Sequence, residues 1–471
     1  MEKSQKLGTC SCSPQRSLTE AKAALCSISN EAPLKTLHAT LSPAPLYLVG
    51  GTVRDAFYHN AKTDIDCATS LTAPEVKARC EAKGIRVIDT GIQHGTVLAL
   101  VADTHVEITT FRVPSARETH HTAHSIETDL QGRDFTINAI AFDLNTQEMI
   151  DPFGGIKDIE ASILRGVENP EARFVEDPLR ILRMIRFGSA QGRAVEPRTL
   201  EAAKKHVAML SKVSCERIKA ELDKILMCPL PHYGIRSVYE IGGLPYTIPE
   251  LIPSVGFEQN KFHIHDVFEH TLWVLERSPA DLILRWSAVF HDIGKPHTLS
   301  VDPDGSRHFY SHETVSEDLS KKRMKDLRFS TDDSHSIARI VRHHMRPLDC
   351  GAPGVRRLIR DLGPDLARWR SFKSADAPPT VPEQEFHQIA SRFDALLASE
   401  QQKMAGPSYG KLAITGDDLK RIGIKPGPSM GAVLKQLEEL VIEDPSKNTK
   451  ELLIKEAKRR IGSSKARRNH S

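Results

Sequence analysis

The sequence predicts an α/β head followed by an all-α body. Strand-like and helix-like segments alternate from about residue 36 to 155, strand signals nearly vanish beyond that, and no repeat of fixed period runs through the chain. At 471 residues the chain is too long for one hydrophobic core, so two to four domains are expected.

Residues 1–35 are polar and aperiodic apart from an Ala/Lys patch near Ala21–Leu25, and are expected to be poorly ordered. The head spans 36–155. Leu46 to Val49 reads as a short buried strand, Gly50-Gly51 as a turn that lets backbone approach a ligand closely, and the segment from Val53 as a helix. Gly95–Val101 and His105–Phe111, joined by Ala-Asp-Thr, read as a β-hairpin. Asp151-Pro-Phe-Gly-Gly155 is a turn cluster and a natural domain edge. A helical neck follows over 156–235, with helices at Glu201–His206 and Glu216–Met227. The Pro/Gly-rich stretch from Pro229 to Pro253 marks a second boundary. A helical domain over 236–376 and a helical tail over 377–471 complete the chain, and the tail ends in a basic run that includes Lys455, Lys458, Arg459, Arg460, Lys465, Arg467 and Arg468. Such a run is a solvated end by default and suits nucleic acid at best.

No run of apolar residues approaches the length of a membrane span, and the start lacks the apolar core of a signal peptide. Eight cysteines are scattered without disulfide-like or zinc-finger spacing. A cytoplasmic protein with reduced thiols and no membrane partner is therefore expected. The net charge of +3 says little about partners.

The segment richest in chemistry is Thr63-Asp-Ile-Asp-Cys67, eight residues after Val49-Gly-Gly-Thr-Val-Arg-Asp55. If Asp64 to Ala68 is a strand, its period of two puts both carboxylates on one face. Side by side they repel unless cations sit between them, and hard oxygen ligands suit Mg²⁺. Two such ions, roughly 3.5–4 Å apart, can clamp the attacking and leaving oxygens of a phosphoryl transfer. Alone the pair would pass for a solvated turn; the Gly-Gly-x-x-Arg-Asp element upstream favours the functional reading.

Arg133-Asp-Phe-Thr-Ile-Asn-Ala139 closes the α/β region, and the permanent charge and fork of Arg133 suit phosphate. In Glu176-Asp-Pro-Leu-Arg-Ile-Leu-Arg-Met-Ile-Arg-Phe187, Asp before Pro predicts a helix start, with Asp177 at the N-cap and Pro178 at N1. Arg180, Arg183 and Arg186 recur every three residues and form a stripe along that helix, while Leu179, Leu182, Met184, Ile185 and Phe187 supply its buried face.

These segments resemble the class II nucleotidyltransferases, the bacterial-type CCA-adding enzymes of tRNA and their poly(A) polymerase relatives. The matching motifs are Leu48-Val-Gly-Gly-Thr-Val-Arg-Asp55, Asp64-Ile-Asp66, Arg133–Ala139, Asp151–Gly155, Glu176-Asp-Pro-Leu-Arg180 and Ser214–Leu222, in the family's order over roughly 45 to 230. The resemblance implies a polymerase-beta-like head in which Asp64 and Asp66 hold two Mg²⁺ ions. Gly51 and Arg54 would then contact the triphosphate and Arg133, Arg183 and Arg186 add charge, while Asp177 and Arg180 read CTP and then ATP through the base edge. Glu107 is a candidate third carboxylate. The substrate implied is the 3′ end of tRNA, extended by C, C and A without a nucleic-acid template. Between Arg112 and Leu130 the chain departs from the family pattern: Pro114 to His124 stands where a longer flexible loop is usual, which keeps CC-adding, A-adding and poly(A)-adding readings open.

A second constellation comprises His270, His291-Asp292, His312 and His343. Such residues supply nitrogen and oxygen ligands to a divalent transition metal. His291-Asp-Ile-Gly-Lys295 resembles the HD phosphohydrolase superfamily, which implies a metal site in the helical body with Asp376, in Lys373-Ser-Ala-Asp376, as its terminal Asp ligand. This allows a second, metal-dependent phosphohydrolase activity. It also allows a reading of another class, an HD phosphohydrolase whose head only binds RNA. The Ile414–Pro428 segment of the tail also recurs in the family, with Gly427-Pro428 as a helix start or a turn near RNA. The sequence carries no signal for oligomeric state.

Overall fold

The computed structural model describes residues 16–58, 64–91, 95–112, 125–259, 265–404 and 412–468. The chain divides into two compact units at Ile252–Pro253, with Asp326–Arg328 grouped with the first.

The first unit opens with two helices, α1 (Leu18–Ser29) and α2 (Ala32–Leu41). The expected disorder through residue 35 is therefore corrected from Arg16 onward. The reason is local: Ser17 and Glu20 form a reciprocal capping box, and Ala21 and Leu25 are fully buried. There follow β1 (Leu46–Val49), α3 (Gly50–Asp55), β2 (Asp64–Thr69), α4 (Ala73–Ala82), β3 (Arg86–Gly91), β4 (Thr96–Val101) and β5 (Thr104–Thr110). After α5 (Ile126–Gln131), the short strands β6 (Ala141–Asp143) and β7 (Met149–Ile150) complete a seven-stranded sheet in the order β3-β4-β5-β2-β1-β6-β7. The predicted hairpin is present as β4–β5. Within this sheet the described strand pairs are antiparallel except β2 with β5.

One face of this sheet is apolar. Ile65, Cys67, Val97, Ala99, Val106 and Ile108 alternate inward along β2, β4 and β5, and α2 and α4 bury Leu34, Leu37, Leu41, Val76 and Cys80. The alternation sends Asp66 and Glu107 to the opposite face.

The remainder of the unit comprises α6 (Gly155–Glu160), β8 (Ile163–Leu164), α7 (Pro170–Glu176), α8 (Arg180–Gln191), β9 (Ala194–Val195), α9 (Pro197–His206), α10 (Cys215–Leu226) and α11 (Pro231–Glu240). Helix α8 packs against α10 and α11, and its buried side is the predicted one, with Leu182, Met184, Ile185 and Phe187.

The second unit contains α12 (Val267–Arg277), α13 (Leu282–Phe290), a small hairpin of β10 (Leu299–Val301) and β11 (Arg307–Phe309), then α14 (His312–Asp326), α15 (Thr331–His343), α16 (Ala352–Leu362), α17 (Leu366–Ala375) and α18 (Glu383–Met404). Its last helices are α19 (Gly416–Arg421), α20 (Pro428–Glu443) and α21 (Lys450–Arg468), packed around Leu419, Leu437, Leu453 and Ala457. Gly427 caps α20 with Pro428 in its first turn, an ordinary helix start. Among the described residues no helix is long and apolar enough to cross a membrane.

Candidate functional sites

In the first unit the site begins at the β1–α3 turn. Gly50 has φ +58°, a left-handed value that disfavours any side chain. A Cβ there would stand 2.9 Å from Arg133 Nη1 and 3.8 Å from Asp66 Oδ2, so this backbone lies against one basic and one acidic group. Gly51 follows as the second residue of α3. Thr52 Oγ1 accepts a hydrogen bond from the Asp66 backbone N–H at 2.7 Å and ties the turn to β2. The parallel register of β2 and β5 pairs Asp66 with Glu107. In-register neighbours project to the same face, so Glu107 stands beside Asp66. Asp64 is the first residue of β2; its carboxylate lies outside the described residues. Oxygen donors gathered on one sheet face, next to a turn of bare backbone, suit a hard cation that keeps waters and phosphate oxygens.

Four of the predicted arginines are held by acidic or amide partners of the first unit. Arg133 pairs with buried Asp129 at 2.9 Å, and Asp129 also accepts from the backbone N–H of Arg112. Arg54 Nη1 donates to Asn138 Oδ1 at 2.7 Å, Asn138 Nδ2 donates to Asp134 Oδ1 at 2.9 Å, and Arg183 Nε donates to Asp134 Oδ2 at 2.7 Å. One continuous path therefore joins the glycine turn to helix α8. Burial pushes the Asp134 carboxyl up, but Arg183, Asn138 and Arg180 outweigh it and hold the group at about 2. Arg186 pairs with buried Glu221 on α10 at 2.8 Å. The guanidiniums of Arg54, Arg183 and Arg186 gather around the Phe187 ring, 4.9, 5.5 and 4.2 Å from its centroid. Phe187 was expected only as packing. Each guanidinium carries five N–H donors, more than its carboxylate partner can take, so the cluster can grip further anionic oxygens.

The start of α8 differs from expectation. Asp177 is the C-cap of α7, and α8 begins at Arg180. Asp177 Oδ1 still accepts from Leu179 N at 3.2 Å, but the backbone bonds Arg180 N to Asp177 O and Ile181 N to Pro178 O close a tight 3₁₀-like turn first. Arg217 on α10 holds Asp177 Oδ2 at 2.8 Å. Arg180 bonds Glu176 at 2.8 Å and the Gly132 carbonyl at 2.9 Å. Asp177 and Arg180 are thus fixed at the same turn by separate partners. Sequence reasoning missed Asn138, Arg217 and Glu221 as partners; the motif Arg133–Ala139 contains Asn138 but carries no sign of what it would bond. Pro114 to His124, the altered loop, lies outside the described residues.

In the second unit, His291 and Asp292 follow α13, with His270 on α12, His312 at the start of α14 and Asp376 at the C-cap of α17. They converge. His270 Nε2 lies 3.1 Å from Asp376 Oδ1 and 3.6 Å from Asp292 Oδ2, and His291 Nε2 lies 3.1 Å from Asp292 Oδ2. His312 Nε2 is 3.2 Å from Asp292 Oδ1. Burial opposes charge on both acids, yet His291 and Lys295 hold Asp292, and His270 and His291 hold Asp376, below the ordinary carboxylate range. Gly294 is required here, because a Cβ would stand 2.4 Å from the His312 carbonyl oxygen and block α14 from packing on the His291-Asp292 turn.

His343 is a correction. The histidine that enters the cluster is its neighbour His344, whose Nε2 is 3.4 Å from Asp292 Oδ1. Successive helical residues point about 100° apart, so only one of two adjacent histidines can face the centre. His343 instead lines a separate cavity of about 670 Å³ with Glu317, Arg342, Arg360 and Asp361. Burial and the nearby Arg346 push its imidazole down to about 4.

The chain matches the family models "Poly A polymerase head domain" over residues 46–165, "Probable RNA and SrmB- binding site of polymerase A" over 194–254, "HD domain" over 263–396 and "tRNA nucleotidyltransferase domain 2" over 383–457. It is 31% identical over 417 residues to the A-adding tRNA nucleotidyltransferase of Deinococcus radiodurans, covering 84% of this chain and 91% of that one. It is 30% identical over 415 residues to the CCA-adding enzyme of Streptococcus pneumoniae, covering 86% and 91%. In fold it is similar to the Bacillus stearothermophilus CCA-adding enzyme crystallised with CTP, with a TM-score of 0.67 at 24% identity over 93% of this chain and all of that one.

Proposed function

Because the chain belongs to the tRNA nucleotidyltransferase family, we propose that it extends the 3′ end of tRNA with C, C and A, taken from CTP and ATP without a template. The observation that carries this reading is the path Arg54–Asn138–Asp134–Arg183, which couples the turn beside Asp66 to the arginine helix α8. The residues fit Mg²⁺ at the head, where Asp64 and Asp66 would hold two ions with Glu107 beside them. Bound there, the ions supply neutralising charge and lower the pKa of a coordinated hydroxyl. The terminal hydroxyl oxygen of the RNA forms a bond to the α-phosphorus as the bond to pyrophosphate breaks. Gly51 leaves room for the triphosphate against the backbone, and Arg54, Arg133, Arg183 and Arg186 bind its oxygens. Asp177 and Arg180 offer an acceptor and donors to a base edge. Asn138, Asp134 and Arg217 touch no substrate in this scheme; they position the groups that do.

One of the two relatives, at 31% identity, is an A-adding enzyme, so the second reading is a chain that adds only part of the triplet. Purified protein is incubated with tRNA lacking CCA, and with tRNA ending in CC, using CTP and ATP singly and together. The main reading expects two C from CTP alone and full CCA from both. A chain that adds A only to tRNA ending in CC is an A-adding enzyme, and long tails on any RNA from ATP alone would contradict the tRNA assignment.

We also propose that the His/Asp cluster of the second unit holds a divalent transition metal through His270, His291, Asp292 and Asp376. Such a site supports hydrolysis of phosphate esters apart from nucleotide addition.

A further inference from the structure

One buried cation of the first unit takes no part in the scheme above. Helix α8 is capped by Gly192, whose left-handed φ of +61° turns the chain back, and the next residue, Arg193, is 4% exposed. Its Nη2 donates to the hydroxyl of Tyr58, which is buried as well, and its guanidinium stands 5.4 Å from the centroid of that ring. Nε and Nη1 are buried with no hydrogen-bond partner among the described residues. Burial pushes the pKa of the group down from the ordinary arginine value; Tyr58 opposes this, Arg54 adds to it and Asp55 opposes it.

An arginine keeps its charge in a protein, so this site holds a cation whose one acceptor is a neutral hydroxyl. An apolar side chain of the same length would fill the space without stripping water from a charge. Nor is the cation needed to cap α3. Arg16 does that, its backbone N–H donating to the Phe57 carbonyl at 2.8 Å and its Nη1 to the Ala56 carbonyl at 3.3 Å. What Arg193 reaches is the end of the segment that carries Gly51 and Arg54. Phe57 N–H donates to the Arg54 carbonyl at 3.2 Å and Tyr58 N–H to the Asp55 carbonyl at 3.0 Å, so Tyr58 is tied to the backbone of Arg54 and Asp55.

We infer that Arg193 is a positioning residue for the incoming nucleotide: through Tyr58 it fixes the end of α3, and with it Arg54 and the glycine turn, against α8. This rests on the reading of Gly51 and Arg54 as triphosphate contacts given above. Helix α3 is then tied to α8 at two points, by Arg183 through Asp134 and Asn138, and by Arg193 through Tyr58. A short helix held at one point can pivot about it; held at two it keeps its orientation.

The test uses the full chain with Mg²⁺, and reads kcat, KM for CTP on tRNA lacking CCA, KM for ATP on tRNA ending in CC, KM for tRNA, and urea unfolding. Arg193→Met removes the charge at nearly constant length, so the unfolding midpoint should stay level or rise. KM for each nucleotide incorporated should nonetheless rise by about fivefold or more, because the triphosphate is common to both, while KM for tRNA stays within about twofold. Arg193→Lys should recover part of the loss. A stable Arg193→Met protein with unchanged nucleotide KM, or with a loss confined to kcat, would overturn the inference. If Arg193→Met does not unfold cooperatively, Tyr58→Phe, which removes a single oxygen, takes its place with the same expected rise and the same contrary result. Arg54→Gln separates the two readings. If it leaves nucleotide KM unchanged the triphosphate reading fails, whereas a rise there beside an unchanged Arg193→Met defeats this inference alone.

Discussion

Asp134 and Arg183 form a two-point ion pair, with Nε and Nη2 of the arginine each 2.7 Å from Oδ2 of a carboxylate that is 6% exposed. The pair joins the end of the head motif to the helix proposed to face the nucleotide. Asp134→Ala would leave Arg183 without its counter-charge in a partly buried position. The expected loss is about 2–3 kcal/mol of stability, below the range for a fully buried pair because Arg183 keeps some solvent contact. Nucleotide addition should fall at least tenfold, chiefly through KM for the nucleoside triphosphate. Urea unfolding and steady-state incorporation measure the two effects.

The same carboxyl gives a pH signature. Its folded value of about 2 lies below that of an unfolded aspartate, so its contribution is present above pH 4 and lost as the pH falls from 4 toward 2. At neutral pH the contribution is roughly 2 kcal/mol. Unfolding curves of the unmutated protein and Asp134→Asn should differ at pH 7 and converge as the pH falls below 4. A gap that stays constant with pH would mean that Asp134 is not held ionised by its partners.

Gly50→Ala tests the close approach at the turn. The left-handed φ costs a side chain about 1–2 kcal/mol, and the new Cβ would press on Arg133 Nη1, the movable end of a long side chain. A modest drop in melting temperature is expected, with a larger loss of incorporation as Arg133 is displaced from beside Asp66. Near-normal incorporation would show that Arg133 acts elsewhere.

Base selection should depend on Asp177 and, one step removed, on Arg217, which holds it at 2.8 Å. Asp177→Ala should raise misincorporation of UTP and GTP relative to CTP and ATP by about 10- to 100-fold, the size of a lost charged hydrogen bond. Arg217→Ala should do so more weakly, and Arg217→Lys should recover part of the selectivity. Competition assays with paired nucleotides read this ratio independently of overall rate.

Much of the head was legible in the sequence because its signals are local. Glycine turns and a strand period of two each act within a few residues, whereas the Asp-Pro signal placed the start of α8 too early. The capping box at Ser17 and Glu20 was equally local and would have located α1. What escaped was tertiary. The parallel pairing that sets Glu107 beside Asp66, the bond from Arg54 to Asn138 and the approach of Arg54 to the Phe187 ring join residues 41 to 133 positions apart. His344 escaped for another reason. Two adjacent histidines at a helix end carry the same local signal, and only the surrounding helices decide which of them turns inward.

The most direct test of the account compares the unmutated protein with Asp66→Asn in incorporation of labelled CTP and ATP on tRNA lacking CCA. The account predicts CCA ends from the unmutated protein and a loss of at least a thousandfold in Asp66→Asn, with tRNA binding retained. Substantial addition by Asp66→Asn would contradict it, because the carboxylate pair on β2 would then not be where the transfer takes place.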